Sequence, residues 1–499
     1  MGALFSFSGS ADLNLAAVDA VFAKKRMGPR TELRAGSRVV WVLAKSLQPL
    51  RPGIDMSDAD NWLACAGTLI YRGQGLAASL TALHTDLVEG RVEWARLKGS
   101  FALMWAAGGE LTTITDVLGV QPLFEDEQET VSTSFLAVLV SSRTKRTINE
   151  SAFLEKVATG YVVGPETLVH EIRRDGGVPH EGPAPRSYRR LRPPKERTEV
   201  EARGASSGAA WEQLDHLRCQ LADLHSVVVE EKAVLAVSGG YDSRLLLAAL
   251  LSQGLRPSLQ THASEGSHDH EVNQAIVRGI ALHKDLPLIV VPTRVVWKEE
   301  PESLQAALHD SLYFFDGRNS FNMGAFSSTY THAYAVASLG GCGVRLSGLG
   351  GEIYRNYYST ARSRVDFHEW TLNKLLYPTA LRVIRDGPAW REVFRSRVAK
   401  IESVLGTRIG RSVDQRTLRR YYAEVRMPHC DGANNNAHNQ VAGFLTPFID
   451  WETVRKAYDA EALIGISGRF QAEMIELADK DLAHGPSHYG FPLAREPFA

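Results

Sequence analysis

The sequence predicts a mixed α/β chain in two parts: a β-rich α+β amino-terminal part, then a doubly wound parallel-sheet part with a helical tail. Three observations predict it. Up to about residue 145, short apolar or alternating runs are separated by polar and Gly-containing breaks, the mark of strands and turns. From residue 211 onward, apolar runs of strand length alternate with runs at helical spacing, the pattern of parallel βαβ units. Beyond residue 360 helical periodicity takes over, as at Arg391–Leu405 and Trp451–Ala462.

Composition bounds the function classes. The 499 residues suffice for two or three domains, and 44% hydrophobic with 23% charged residues is ordinary for a soluble globular enzyme. A net charge of −1 offers no basic field for nucleic acid or for a membrane surface. Cys65, Cys219, Cys342 and Cys430 are scattered, without zinc-type spacing, so the expected compartment is a reducing cytoplasm. No apolar run reaches the length of a membrane span.

In order, the expected strands of the first part are Leu4–Phe7, Val39–Leu43, Trp62–Tyr71, Phe101–Trp105, Leu111–Ile114 and Leu136–Val140. Residues 181–207 are rich in Pro, Arg, Glu and Gly and read as an extended connection. The expected division is therefore 1–195, a linker to about 207, and 208–499. Leu214, Leu217, Leu221, Leu224 and Val228 space a helix over 211–229. Strands are expected at Ala233–Val237, Ser258–Ala263, Leu286–Val291 and Val344–Leu346, with a helix over Glu271–Lys284.

The organising stretch is Ala233-Val-Leu-Ala-Val-Ser-Gly-Gly-Tyr-Asp-Ser-Arg244. A buried strand runs into Ser238-Gly239-Gly240, and a helix over Leu245–Leu251 follows. Such a turn directs free backbone N–H groups and a helix dipole at an anion. A lone Asp242 there would repel phosphate unless it held a divalent cation. The G-x-x-x-x-G-K-[ST] pattern is absent, so this is not a Walker-type loop. Ser347, at the end of the fourth expected strand, would line the same cleft, because ligands of doubly wound sheets sit at the carboxyl ends of the strands.

Ser238-Gly-Gly-Tyr-Asp-Ser243 resembles the SGGxDS pyrophosphate loop of the ATP pyrophosphatases, and within them the asparagine-synthetase-like ligases. Leu346-Ser-Gly-Leu-Gly-Gly-Glu-Ile-Tyr-Arg355 resembles that family's second nucleotide motif, Ser-Gly-Glu-Gly-Ala-Asp-Glu. The resemblance implies that Ser238, Gly239, Gly240, Asp242, Ser243, Ser347 and Gly348 contact ATP, and that Asp242 and Glu352 hold Mg²⁺. The other reading of Glu352 is a solvated helix-start carboxylate. Gly266–Ala275 resembles the family's Ser-Asp-Glu segment. Asp269 and Glu271 are read equally as nucleotide-facing acids or as a cap and a first-turn acid. The family's tail lysine has no counterpart within Gly485–Gly490, so Lys480, Arg244 and Arg355 are the candidates to meet the departing pyrophosphate. Leu349 stands where asparagine synthetases carry Glu, and Leu445 where many relatives carry a basic residue. Of the stretches flanking the acceptor side, Tyr354–Tyr358 is polar-aromatic, while His429–His438 reads as a solvated loop.

The amino-terminal part resembles the class II glutamine amidotransferase domain, of Ntn-hydrolase fold, through Met1–Phe7, Gly99–Trp105 and Thr115–Phe124. Gly2 replaces the family's nucleophilic Cys, and Ala66-Gly67-Thr68 its Asn-Gly-Glu substrate grip. Glutaminase chemistry is therefore excluded. The resemblance implies an ATP- and Mg²⁺-dependent ligase that adenylates a small-molecule or peptide carboxylate and passes it to an amine or ammonia. It also admits a homodimer. The alternative is a catalytically impaired nucleotide-binding scaffold.

Overall fold

The computed structural model describes residues 2–48, 53–175, 187–195, 208–264, 268–293, 300–318 and 327–495, apart from 356, 359–362, 379, 381, 383–386 and 466. It is a mixed α/β structure that includes a parallel sheet. The strands before residue 192 are β1 (Ala3–Ser8), β2 (Arg30–Ala35), β3 (Arg38–Leu43), β4 (Ile54–Met56), β5 (Trp62–Tyr71), β6 (Leu97–Ala107), β7 (Glu110–Thr115), β8 (Leu123–Asp126), β9 (Val131–Ser132), β10 (Ile172–Asp175) and β11 (Arg189–Leu191).

They form two sheets, ordered β10-β8-β9-β1-β3-β2 and β11-β7-β6-β5-β4. Successive strand residues point to opposite faces, so one strand feeds two cores. Leu4, Val40 and Val42 meet Ala64, Ala66, Ala102 and Met104 between the sheets. Phe5, Phe7 and Trp41 face outward onto the helices Leu15–Lys24 and Phe135–Ser141. Leu63, Leu69 and Leu103 face the helix Leu76–Val88. The layers therefore run helix, sheet, sheet, helix.

The strand expected at Leu136–Val140 is instead a helix, Phe135–Ser141. The Ser134 side chain caps it by accepting from the Ala137 N–H, and Asp316 accepts from the Ser134 hydroxyl at 2.6 Å. Five apolar residues in a row carry no period that separates a buried strand from a buried helix; the cap decides. Of the expected linker, residues 181–186 and 196–207 lie outside the described residues. Between them, β11 pairs in parallel with β7.

The later strands are β12 (Val234–Ala236), β13 (Ser258–Ser264), β14 (Leu288–Thr293), β15 (Val344–Ser347), β16 (Arg364–Asp366), β17 (Ser412–Asp414) and β18 (Gly443–Leu445). Strands β14-β13-β12-β15-β18 form one sheet in that order, parallel throughout. Strand order reverses between β12 and β15, which opens a crevice at their carboxyl ends. Strand β18 is too short to signal itself in sequence, and Gly443 lets it approach β15 closely: a Cβ there would lie 2.6 Å from Val344 Cγ2. The helix expected over 211–229 is two helices, Ala209–Ala222 and His225–Glu230.

His429–His438 is no solvated loop. It completes a π-helix, Tyr421–Asp431, and continues into the helix Gly432–Asn439. Asn435, Asn436 and Asn439 are buried, and each donates to a partner. Asn435 donates to Thr446 Oγ1 (2.9 Å), Asn436 to the Val120 carbonyl (2.9 Å) and Asn439 to Asn435 Oδ1 (2.7 Å). Asn composition signals turns only when such partners are out of view.

Lys45 ties the two parts together. Its ammonium donates to the Ala442 carbonyl (2.6 Å), Thr68 Oγ1 (3.1 Å) and Asn439 Oδ1 (3.3 Å). Burial pushes its pKa down to about 7 from 10.5. The folded chain therefore binds fewer protons than the unfolded chain between those values, so this group makes stability rise with pH across that window. Melting the wild type and Lys45→Met from pH 7 upward should show a steeper rise in the wild type. Parallel curves would contradict this.

Candidate active site

Two loops form the site, one after β12 and one after β15. In the first, Val237 leads into Ser238-Gly239-Gly240, and Gly240 sits at the N-cap of the helix Tyr241–Leu251. The second, Gly348 to Gly351, lies directly on that helix start. A Cβ on Gly348 would stand 2.7 Å from the Ser243 nitrogen, and one on Gly351 2.6 Å from Asp242 Cβ. The glycines of the second motif are thus spacers that let the two loops touch.

Asp242 and Glu352 approach from these opposite loops, with one guanidinium between them. Arg355 donates to Asp242 Oδ2 at 2.9 Å and lies 3.5 Å from Glu352 Oε1. Gln471 donates to Asp242 Oδ1 (2.8 Å) and to the Gly351 carbonyl (2.9 Å), so it ties the loops together. Tyr422 donates to Glu352 Oε2 at 2.7 Å. Burial first, and the charge of Glu352 second, push the Asp242 carboxyl up to about 7, against the pull of Arg355. Two carboxylates share one cation, so the pair is short of positive charge. Burial alone would lower Arg355, but Asp242 and Glu352 outweigh it and raise its pKa.

One side of Glu352 is aromatic. A shallow cleft is lined by Glu352, Arg355, Tyr357, Tyr422 and Tyr458, among others. The Arg426 guanidinium lies over the Tyr357 ring at 4.9 Å and pairs with Asp431 at 3.2 Å. Burial, opposed by Arg426, pushes Asp431 up to about 6. Burial and then Glu352 hold the Tyr422 phenol well above its ordinary value, so it stays a donor. A larger cavity of about 250 Å³, lined by Trp94, Asp116, Trp451 and Arg455, lies elsewhere and contains none of these residues.

The expected free N–H groups of the first loop are not free. Ser238 N–H donates to Ser243 Oγ (3.0 Å), Gly239 N–H to Asn273 Oδ1 (2.9 Å) and Gly240 N–H to Ser238 Oγ (3.3 Å). Backbone donors in such a turn need acceptors, and here side chains supply them. The tail covers the same loop: His488 N–H donates to the Gly239 carbonyl at 3.4 Å, and Tyr489 packs on Tyr241 with ring centres 5.3 Å apart.

The three expected basic residues part company. Arg355 stands in the site. Arg244 is fully buried and donates to the Leu482 carbonyl (3.2 Å) and the Pro486 carbonyl, so it anchors the tail. Lys480 is exposed at the start of the short helix Lys480–His484, and among the described residues no hydrogen bond or ion pair joins it to the loops. Ser347 accepts from the Leu349 N–H at 3.2 Å, and Leu349 is half-buried against the core. Glu271 is exposed, and the side chain of Asp269 lies outside the described residues. Sequence reasoning missed Asn273, Gln471, Tyr422 and Asp431. Asn273 and Asp431 fell within quoted segments, Gly266–Ala275 and His429–His438; Gln471 and Tyr422 reach the site from helices distant in sequence.

Asp242 and Glu352 fit a hard divalent cation in donor type, two carboxylates with oxygen donors only. Among the described residues no group of three or more His, Cys, Asp or Glu has metal-binding arrangement. Cys430 is no nucleophile: burial and Asp431 push its thiol up to about 12. Gly2 has no room for a side chain, since a Cβ would fall 2.6 Å from the Ala44 carbonyl oxygen. Among the described residues no helix is long and apolar enough to cross a membrane.

Tyr422→Phe should leave Glu352 Oε2 short of a donor, at a cost of about 1 kcal/mol in stability. Thermal melting checks this; an unchanged midpoint would contradict it. Comparison with protein-family models and with curated proteins finds no match for this chain.

Proposed function

We propose that this chain is an ATP-dependent, amide-forming ligase of the asparagine-synthetase-like superfamily that has no glutaminase activity of its own. It adenylates a carboxylate, releases pyrophosphate, and transfers the acyl group to an amine or ammonia with release of AMP. One observation carries the reading. Asp242 and Glu352 face each other from the loops after β12 and β15, at the point where strand order reverses, with Arg355 between them.

On this reading Asp242 and Glu352 would hold Mg²⁺, which supplies charge neutralisation for the phosphates. Ser238, Gly239, Gly240 and Ser243, with Ser347 and Gly348 opposite, would line the nucleotide. Arg355, released from the carboxylates, is the basic side chain best placed to meet pyrophosphate. The amino-terminal layers are a retained Ntn-hydrolase-like scaffold, since neither Gly2 nor Ala66-Gly67-Thr68 offers chemistry. The acceptor amine would enter on the aromatic side lined by Tyr357 and Tyr422.

A second reading, a nucleotide-binding scaffold without turnover, is favoured by one arrangement. The N–H groups of the first loop are satisfied internally, and His488 and Tyr489 lie over it. ATP–pyrophosphate exchange measured across pools of carboxylic acids tests the choice. Acid-dependent exchange supports the ligase; its absence with every pool supports the scaffold.

A further inference from the structure

Each carboxylate of the candidate site has two oxygens, and the surroundings treat them differently. One oxygen of each is held by a neutral donor from a helix distant in sequence. Gln471 Nε2 donates to Asp242 Oδ1 at 2.8 Å, and the Tyr422 hydroxyl donates to Glu352 Oε2 at 2.7 Å. The other oxygen of each faces one common point. Arg355 Nη2 stands there, 2.9 Å from Asp242 Oδ2 and 3.5 Å from Glu352 Oε1.

Packing fixes both donors. Gln471 lies in the helix Arg469–Ala478 and is fully buried. Gly468 lets that helix start against the first loop, since a Cβ there would fall 2.4 Å from the Tyr241 ring. Two residues on, Phe470 stacks on Tyr354 with ring centres 6.4 Å apart. Gln471 Nε2 also donates to the Gly351 carbonyl at 2.9 Å. Both partners are pure acceptors, so the amide cannot turn over without setting oxygen against oxygen. Tyr422 is buried in the π-helix, with its ring centre 5.1 Å from that of Tyr357. A phenol has one O–H, and Glu352 takes it.

The neutrality of these donors matters. A lysine or arginine on the outer oxygens would orient the carboxylates equally well, but its charge would weaken their hold on a further cation. An amide and a phenol orient them and leave their charge to whatever sits between. Mg²⁺ is commonly held by one or two carboxylates, with waters and phosphates completing its shell. We infer that Gln471 and Tyr422 are positioning residues of the cation site: each holds the outer oxygen of one carboxylate, so that Asp242 Oδ2 and Glu352 Oε1 converge on one divalent cation in the place of Arg355 Nη2. The inference rests on the ligase reading, which gives the two carboxylates their cation.

The test is calorimetric titration with a non-hydrolysable α,β-analogue of ATP across a Mg²⁺ series, on the wild type, Gln471→Met, Tyr422→Phe and Gln213→Met. Met and Phe preserve the bulk of the side chain and remove the donor. Gln213 is the control, because its buried amide donates instead to the Lys456 carbonyl, at 2.9 Å. Gln471→Met and Tyr422→Phe should each raise the Mg²⁺ concentration for half-maximal binding about tenfold, the low end for loss of a group that orients a metal ligand. At saturating Mg²⁺ both should recover the wild-type affinity. Gln213→Met should keep the wild-type Mg²⁺ dependence even where it melts lower. Unchanged Mg²⁺ dependence in either site variant, with the analogue still bound, would overturn the assignment of that residue and leave the ligase reading standing. Weaker binding that saturating Mg²⁺ does not restore, or the same shift in Gln213→Met, would mark a merely structural role and overturn it too. A wild type that shows no Mg²⁺-dependent binding would overturn the ligase reading and this inference together.

Discussion

Replacing Asp242 with Asn should lower adenylate formation by roughly a thousandfold, the upper range for loss of one preorganised electrostatic partner, without lowering stability at neutral pH. The catalytic half of this expectation rests on the ligase proposal. Asp242 is the carboxylate from the phosphate loop, and an amide there offers a cation a weaker, uncharged oxygen. The stability half rests on the structure alone. Burial and Glu352 raise the folded-state pKa from 3.8 to about 7. The folded chain thus binds more protons than the unfolded chain between those values, and stability falls as pH rises through that window. The Asn variant loses this decline. Melting curves from pH 4 to pH 8 check it: the wild type should lose stability relative to the variant as pH rises. A variant that melts well below the wild type at pH 7 would show that the Arg355 and Gln471 contacts outweigh the strain of the buried charge.

Gly348→Ala should be the most damaging small change in the second loop. The added Cβ would meet the Ser243 nitrogen at 2.7 Å and the Asp242 carbonyl carbon at 2.8 Å. Both are backbone atoms at the start of a buried helix, so neither yields as a flexible side chain would. Overpacking of this kind costs about 1–3 kcal/mol, and the midpoint should fall by several degrees. The same displacement would part Asp242 from Glu352, so activity should fall further than stability. Gly465→Ala is the control, because nothing lies within 4 Å of its added Cβ. Equal melting of Gly348→Ala and Gly465→Ala would contradict the close packing of the two loops.

Much of the parallel sheet was legible because its strands are short apolar runs bounded by turns. The runs at Ala233–Val237 and Ser258–Ala263 appear as β12 and β13 with little shift. What escaped was whatever depends on partners far along the chain. Leu136–Val140 turned helical because Ser134 caps it and Asp316 accepts from that cap. His429–His438 looked solvated because its Asn side chains find acceptors outside the stretch, Thr446 Oγ1 for Asn435 and, across the junction of the two parts, the Val120 carbonyl for Asn436. At the site, motif spacing placed Asp242, Gly348 and Glu352 together, since those residues sit in loops that end adjacent strands. It did not place Arg244, whose guanidinium turns toward the tail, nor Gln471, which reaches Asp242 from a helix 229 positions away. Nothing local in a sequence marks such a contact.

Calorimetric titration with a non-hydrolysable α,β-analogue of ATP, with and without Mg²⁺, on the wild type and Asp242→Asn, tests the central claim most directly. The account predicts binding by the wild type that requires Mg²⁺ and is lost in the variant. Absence of binding by the wild type, or binding that neither Mg²⁺ nor the substitution alters, would contradict it.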